Sequence, residues 1–188
     1  MPSDPPSEVT IGSRDGYAGK FLRVRVDEVR LPSGRTSTRE VVDHPGAVAI
    51  LAVTDDGDLL LVRQYRHAAG RALLELPAGT REPDEPPAET VRRELIEETG
   101  HAPSSITELV TFFPTPGYSS EQIILFRADD CTPVQHDRDA DEPALLVRVP
   151  LADVPSLLAP GPNQIADGKT LIGLLWLLRD VTDERITP

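Results

Sequence analysis

What this sequence lacks already narrows what it can be. It has one cysteine, Cys131, in 188 residues. That excludes an internal disulfide framework and a thiolate zinc cluster. Positive charge is scarce: 19 Lys and Arg stand against 31 Asp and Glu, for a net charge of −12. So acidic a balance argues against binding nucleic acid or an anionic membrane through the overall field. The opening MPSDPPSE has neither a basic region nor an apolar stretch, so it does not read as a secretory signal. No long apolar run is present. The longest, 171–178, is interrupted by Gly173 and falls far short of the roughly 20 residues of a membrane span. The expectation is a cytoplasmic protein with no membrane partner. What is abundant is proline, 19 residues, about twice the usual share of about 5% and a sign of many rigid loops. The length allows one main domain with a small appendage, enough to bury a core.

Along the chain, 1–8 is polar and proline-rich and reads as a disordered tail. Leu22, Val24 and Val26 alternate with Arg23, Arg25 and Asp27, the pattern of a half-buried strand. Pro32-Ser33-Gly34 turns the chain, and 38–42 returns. From Ala47 to Val53 the sequence is apolar without a break, as in a strand buried on both faces. Asp55-Asp56-Gly57-Asp58 is a turn, and 59–62 is the second arm of a hairpin. Shorter strands are expected at 73–76, 109–113, 123–128 and 145–149. A helix is expected over 88–99, with Pro86 and Pro87 at its start and Gly100 as its stop. A second, over 170–179, presents Leu171, Leu174, Leu175 and Leu178 on one face. Strands mixed with two or three helices indicate an α+β chain or α/β/α layering. The expected division is a tail at 1–8, an N-terminal strand region at 9–44, a main domain at 45–180 and a tail at 181–188.

The segment 79–101, GTREPDEPPAETVRRELIEETGH, carries the chemistry. At about 100° per residue, Glu97 and Glu98 lie about −60° and +40° from Glu94, so three carboxylates share one arc. Ala88, Val91 and Leu95 form the adjoining apolar stripe. Glu94 and Glu98, at i,i+4, repel each other, and Arg93 can pair with Glu97. Two readings are open: a solvated face laced with salt bridges, or a metal site. Clustered oxygen donors without Cys or His suit a hard cation such as Mg2+ or Mn2+. Pro77-Ala78-Gly79 is read as a tight turn upstream, and the acidic loop Glu82, Asp84, Glu85 leads into the helix. A metal held there reconciles the acidic chain with a diphosphate substrate.

Gly79, Glu85, Arg93, Glu94, Leu95, Glu97, Glu98 and Gly100 match, at every spacing, the pattern G-x5-E-x7-R-E-U-x-E-E-x-G-U, with U apolar. The segment thus resembles the signature box of the Nudix family; only His101 departs, where an aliphatic residue is usual. The resemblance implies helices sandwiching a mixed sheet, and hydrolysis of a nucleoside diphosphate linked to another group. It implies metal ligation by Glu94, Glu97, Glu98 and the Ala78 carbonyl. Arg93 would orient the carboxylates and Glu85 would support the loop. Pro116, 16 residues beyond Gly100, together with Arg63-Gln64-Tyr65-Arg66, 74–79 and Gly168-Lys169-Thr170, is similar to the ADP-ribose pyrophosphatase branch. That likeness implies cleavage of ADP-ribose to AMP and ribose 5-phosphate. Substrate or metal-bound water would be contacted by Glu40, Arg66, Glu82 and Glu121. The N-terminal antiparallel sheet would be exchanged in a homodimer. For the general base it points to an acid in the loop 137–142, with Glu142 the choice, Asp139 and Asp141 open, and Glu97 an alternative. GDP-mannose, another nucleotide sugar or an oxidised nucleotide remains an alternative substrate. A non-catalytic ADP-ribose-binding regulator is the remote one.

Other residues carry no chemistry in this reading. Cys131 has no basic neighbour in sequence and is an incidental thiol. His44, His67, His101 and His136 lack ligand spacing. Trp176, among leucines, is expected in the core or at a dimer contact. Tyr118 either packs locally or stacks on a base.

Overall fold

The computed structural model describes residues 6–135, 144–161 and 164–184, with side chains to residue 179. The acidic loop with Asp139, Asp141 and Glu142, His136, and the outermost residues of both tails lie outside the described residues. The chain divides into two compact units, Met1–Gly46 with Phe113–Gln122, and Ala47–Phe112 with Ile123–Pro188.

The smaller unit is a three-stranded antiparallel sheet in the order β1 (Val9–Ala18), β2 (Arg23–Arg30), β3 (Thr36–Asp43). β2 and β3 are the pair expected from alternation, joined by a turn in which Gly34 adopts φ +83°. β1 carries no such signal. All its residues are exposed, and it is held by backbone pairing from Val9 opposite Arg30 to Ala18 opposite Arg23. Buried Asp27 ties the sheet together, accepting Ser13 Oγ at 2.7 Å and Arg25 Nε at 2.9 Å. The segment 113–122 is stitched to β3: Val42 N–H donates to Tyr118 O at 2.8 Å, and Ser120 N–H to Val42 O at 3.0 Å.

The larger unit is built on a mixed sheet. Its main path runs β11 (Leu145–Pro150), β5 (Asp58–Arg66), β4 (Ala47–Thr54), β10 (Ile123–Pro133), β8 (His101–Ala102). β6 (Arg71–Glu75) pairs with β5, β7 (Ala78–Thr80) with β4, and β9 (Ser105–Phe112) with β10. Among the described strand pairs of this sheet, only β4–β10 is parallel. Every residue of β4 is buried, as its unbroken apolar run requires. Its side chains alternate between two cores. Ala47, Ala49, Leu51 and Val53 join Leu174 and Leu177 of the last helix, α3 (Gly168–Glu184). Val48, Ile50 and Ala52 join Val91 and Leu95 of α1 (Pro87–Thr99). The short α2 (Val154–Leu157) adds Val154 and Leu157 to the α3 side. This is the expected α+β class with helices on both faces of the sheet. At Gly173 a Cβ would come within 2.6 Å of Leu76 Cδ1, so α3 packs close to the sheet.

Two expectations are corrected. Pro77-Ala78-Gly79 is not a tight turn: Ile50 N–H donates to Pro77 O at 2.9 Å, and Ala78 opens β7, paired with Ala49. The backbone groups that a turn would leave to solvent are taken by β4. Leu175, placed on the buried face of α3, is 59% exposed. Leu174, Leu177 and Gly173 centre the buried arc, and Leu175 lies about 100° from Leu174. Trp176 packs against the α3-side core, with the Arg179 guanidinium 4.1 Å from its ring centroid. Among the described residues, no helix is long and apolar enough to cross a membrane.

Candidate active site

α1 forms for local reasons and in turn positions the carboxylates. Pro87 takes its first position, where a missing N–H costs nothing. Gly100 ends it at φ +69°, its N–H donating to Ile96 O at 2.8 Å. Val91 and Leu95 are fully buried against the sheet, which fixes the rotation of the helix and sends the acids toward β7 and the loop before α1.

Glu85 anchors that loop. Its carboxylate accepts Arg93 Nε and Nη2, each at 3.0 Å, and Thr90 Oγ1 at 2.8 Å. The Glu82 N–H reaches the same carboxylate at 3.2 Å. Asp84, at φ +63°, makes the tight bend between them. The hydrogen bonds from Arg93, helped by Thr90, hold the Glu85 carboxyl down at about 2 against the opposing effect of burial. Arg93 is the hub. It also reaches Glu94 Oε1 at 2.7 Å and Glu97 Oε2 at 3.1 Å. Its own pKa is raised, first by the hydrogen bonds to Glu85 and also by the Glu94 charge.

The Glu94 carboxyl lies over Gly79, where a Cβ would overlap it directly. This gives Gly79 a steric reason to be glycine. Glu98 is buried, and its Oε2 accepts the Ala78 N–H at 3.0 Å. Arg93, Glu85, Glu94, Glu97, Glu98, Glu82, Ala78 and Gly79 are thus assembled by α1, its leading loop and β7. Arg93, not a shared centre, gathers Glu94 and Glu97. Among the described residues no three His, Cys, Asp or Glu side chains are grouped closely enough to hold a metal ion. The donor chemistry nonetheless suits one: these carboxylates, with no soft ligand among them, are what a hard divalent cation takes.

Arg66 ends β5 and forks onto Glu75 of β6, with Nε–Oε1 and Nη2–Oε2 both 2.8 Å. The sequence shows Glu75 only as an acid between Leu74 and Leu76, a position that a strand's packing can bury; the structure buries it. Burial works to raise the Glu75 pKa, but Arg66 and Lys169 together outweigh it and lower it. In the smaller unit, Glu40 is exposed on β3 opposite Val26. Pro116 sits in a turn closed by Tyr118 and Ser119 N–H groups on Thr115 O at 3.2 and 3.0 Å. Tyr118 itself is exposed. Glu121 Oε1 lies 3.9 Å from His44 Nε2. Cys131 is buried, its thiol pushed up to about 12 by desolvation. His101 is buried where an aliphatic was expected, with Nδ1 2.8 Å from Thr99 O.

Residues 43–169 match the NUDIX domain, and residues 8–42 match the nucleoside diphosphate sugar hydrolase N-terminal domain. The chain belongs to the Nudix hydrolase family. It is 37% identical over 172 residues to an ADP-ribose pyrophosphatase of Bacillus subtilis (strain 168), covering 90% of this chain and 92% of that one. It is 35% identical over 170 residues to a methanol dehydrogenase activator of Bacillus methanolicus, with the same coverage of each. A solved structure described as an ADP compounds hydrolase superposes over 100% of both chains with a TM-score of 0.82, at 23% identity. That last likeness speaks to the fold. Nudix hydrolases generally need a divalent metal.

Proposed function

We propose that the chain is a Mg2+-dependent hydrolase that cleaves the diphosphate of ADP-ribose, giving AMP and ribose 5-phosphate. The observation that carries this reading is the set of α1 carboxylates, spaced as the Nudix box requires and held in place by Arg93, Glu85 and β7. Glu94, Glu97, Glu98 and the Ala78 carbonyl would hold the cation. When bound, such an ion activates a water and neutralises charge on the diphosphate. The chain's own residues do the rest. Arg93 orients Glu94 and Glu97 through charge-assisted hydrogen bonds. Glu98 is fixed by the Ala78 N–H. Arg66, forked on Glu75, presents its outer edge to a phosphate. A water oxygen forms the new bond to phosphorus, the bridging P–O bond breaks, and the water's proton passes to Glu97 or Glu142. Glu40, Glu82, Glu121 and the Pro116 loop are the remaining substrate contacts of this reading.

The homodimer belongs to the same proposal. β1 is exposed along its whole length, and Val9, Ile11, Tyr17, Phe21 and Leu22 leave apolar surface on the small unit. A second copy would cover such a face.

A second reading comes from the Bacillus methanolicus relative, whose name describes an activator: the chain could regulate another protein. GDP-mannose and oxidised nucleotides compete as substrates within the hydrolase reading. One experiment separates them. The purified protein is incubated with Mg2+ and each of ADP-ribose, GDP-mannose and an oxidised nucleoside triphosphate, and the products are identified. AMP and ribose 5-phosphate, formed fastest from ADP-ribose, are expected. No cleavage of any of them would reject the hydrolase reading, and preference for another would reject the substrate.

A further inference from the structure

We propose that Lys169 is a positioning residue for anion binding, acting through the buried Glu75 carboxylate on the Arg66 guanidinium. The inference rests on the reading of this unit as a diphosphate hydrolase and adds to it a part outside the Nudix box.

Glu75 is 1% exposed. A carboxylate so deeply buried is stable only if paired and hydrogen-bonded. It has two cationic partners. Arg66 covers it with a bidentate fork, and Lys169 Nζ contacts its Oε2. Lys169 is itself held by Asp167 Oδ2 at 3.0 Å. Asp167 caps α3, accepting the Thr170 N–H at 3.0 Å and the Thr170 hydroxyl at 2.6 Å. Thr170 Oγ1 in turn accepts the Leu76 N–H at 2.8 Å. The first turn of α3 is therefore fastened to the chain at Glu75 and at the residue after it.

The consequence falls on Arg66. The fork occupies Nε and Nη2, and the side chain remains 44% exposed. Among the described residues Nη1 makes no hydrogen bond. The guanidinium is thus aimed, with one edge fixed inward and the other outward. With Arg66 as its only partner, Glu75 would cancel the charge an incoming phosphate must feel. Lys169 shares the Glu75 charge, so the Arg66 guanidinium, cationic in either case, is offset less toward solvent. The Glu98 and Asp167 charges also act on Arg66, and part of the Asp167 charge is answered by the α3 N-terminus, which carries about half a positive charge. A merely structural cluster would tie α3 to the sheet without affecting what Arg66 binds.

The test is a double-mutant cycle on ADP-ribose hydrolysis with wild type, Lys169→Met, Arg66→Ala and the pair. Losing one charge-assisted contact predicts a KM about tenfold higher in Lys169→Met. In the Arg66→Ala background, Lys169→Met should change KM no further. An unchanged KM in Lys169→Met, or effects that multiply in the pair, would overturn the proposal. If Lys169→Met does not fold, Glu75→Gln/Lys169→Met removes the buried charge with its partner; with no carboxylate left to offset Arg66 its KM should stay near wild type, and a rise of about tenfold would overturn the proposal. Independently of turnover, the Arg66 Nε–H resonance should exchange with solvent more slowly in the Lys169 variant than in wild type, because Glu75 then has only Arg66 to answer it; equal or faster exchange contradicts the relay. If wild type leaves ADP-ribose intact, the substrate reading fails, and this resonance alone decides the role of Lys169.

Discussion

At the scale of single residues, Arg93 organises the site more than any one acid does. It bonds Glu85, Glu94 and Glu97 at once, so three carboxylates stand close together without mutual repulsion dominating. The pH dependence of Glu85 follows. Its pKa is lowered in the folded state from 4.5 to about 2, first by hydrogen bonds from Arg93. A depressed acid stabilises the fold above its unfolded pKa, and that contribution is lost as the pH falls from about 4.5 toward 2. Glu85→Gln should therefore lower the urea midpoint at about pH 7, and the gap to wild type should narrow at about pH 3. A gap independent of pH would contradict the pairing. The acids of α1 were legible in the sequence because the 3.6-residue period puts Glu94, Glu97 and Glu98 on one arc. Glu75 and Lys169 were not, since 94 residues separate them in sequence and only the packing of α3 on the sheet brings them together.

At the scale of elements, the β7–α1 contact is the tightest constraint near the carboxylates. Gly79 leaves room for the Glu94 carboxyl, and any side chain there must displace it. Gly79→Ala should destabilise the fold by about 1–3 kcal/mol, the usual cost of overpacking, and should impair catalysis beyond that by shifting Glu94. Thermal unfolding together with kcat reads both; a variant with wild-type Tm and kcat would show that Glu94 does not need the gap. β4 and α1 were readable because their signals are long: an unbroken apolar run, and a helix bounded by proline and glycine. β7 was misread as a turn because three residues carry no period, and its pairing with β4 is made by the backbone. β1 was missed for a related reason. Its side chains are all exposed, so no alternation marks it. In α3, leucines surround much of the helix, and composition alone did not say that Leu175 points outward.

At the scale of the whole molecule, the alternation along β4 explains the layering: one strand feeds two cores, α1 on one side and α3 on the other. The N-terminal sheet has little core of its own, with Val29 and Asp27 its buried residues. Three strands stand on their own only around a buried hydrophobic face, and this sheet leaves Val9, Ile11 and Tyr17 exposed. A dimer at micromolar concentration is the expected result of sedimentation, and Phe21→Glu should shift it toward monomer. A wild-type chain that sediments as a monomer would contradict the exchange of this sheet between copies. The net charge of −12 fits the same picture, since an acidic chain handles a diphosphate through a cation.

The most direct test of the account is the turnover of Glu98→Gln on ADP-ribose in Mg2+. The substitution removes one carboxylate charge and keeps both shape and an acceptor for the Ala78 N–H. The α1 carboxylates as metal ligands predict a kcat lower by about two orders of magnitude or more, with an unchanged far-UV circular dichroism spectrum. Wild-type turnover in a folded Glu98→Gln protein would contradict the role given to these glutamates.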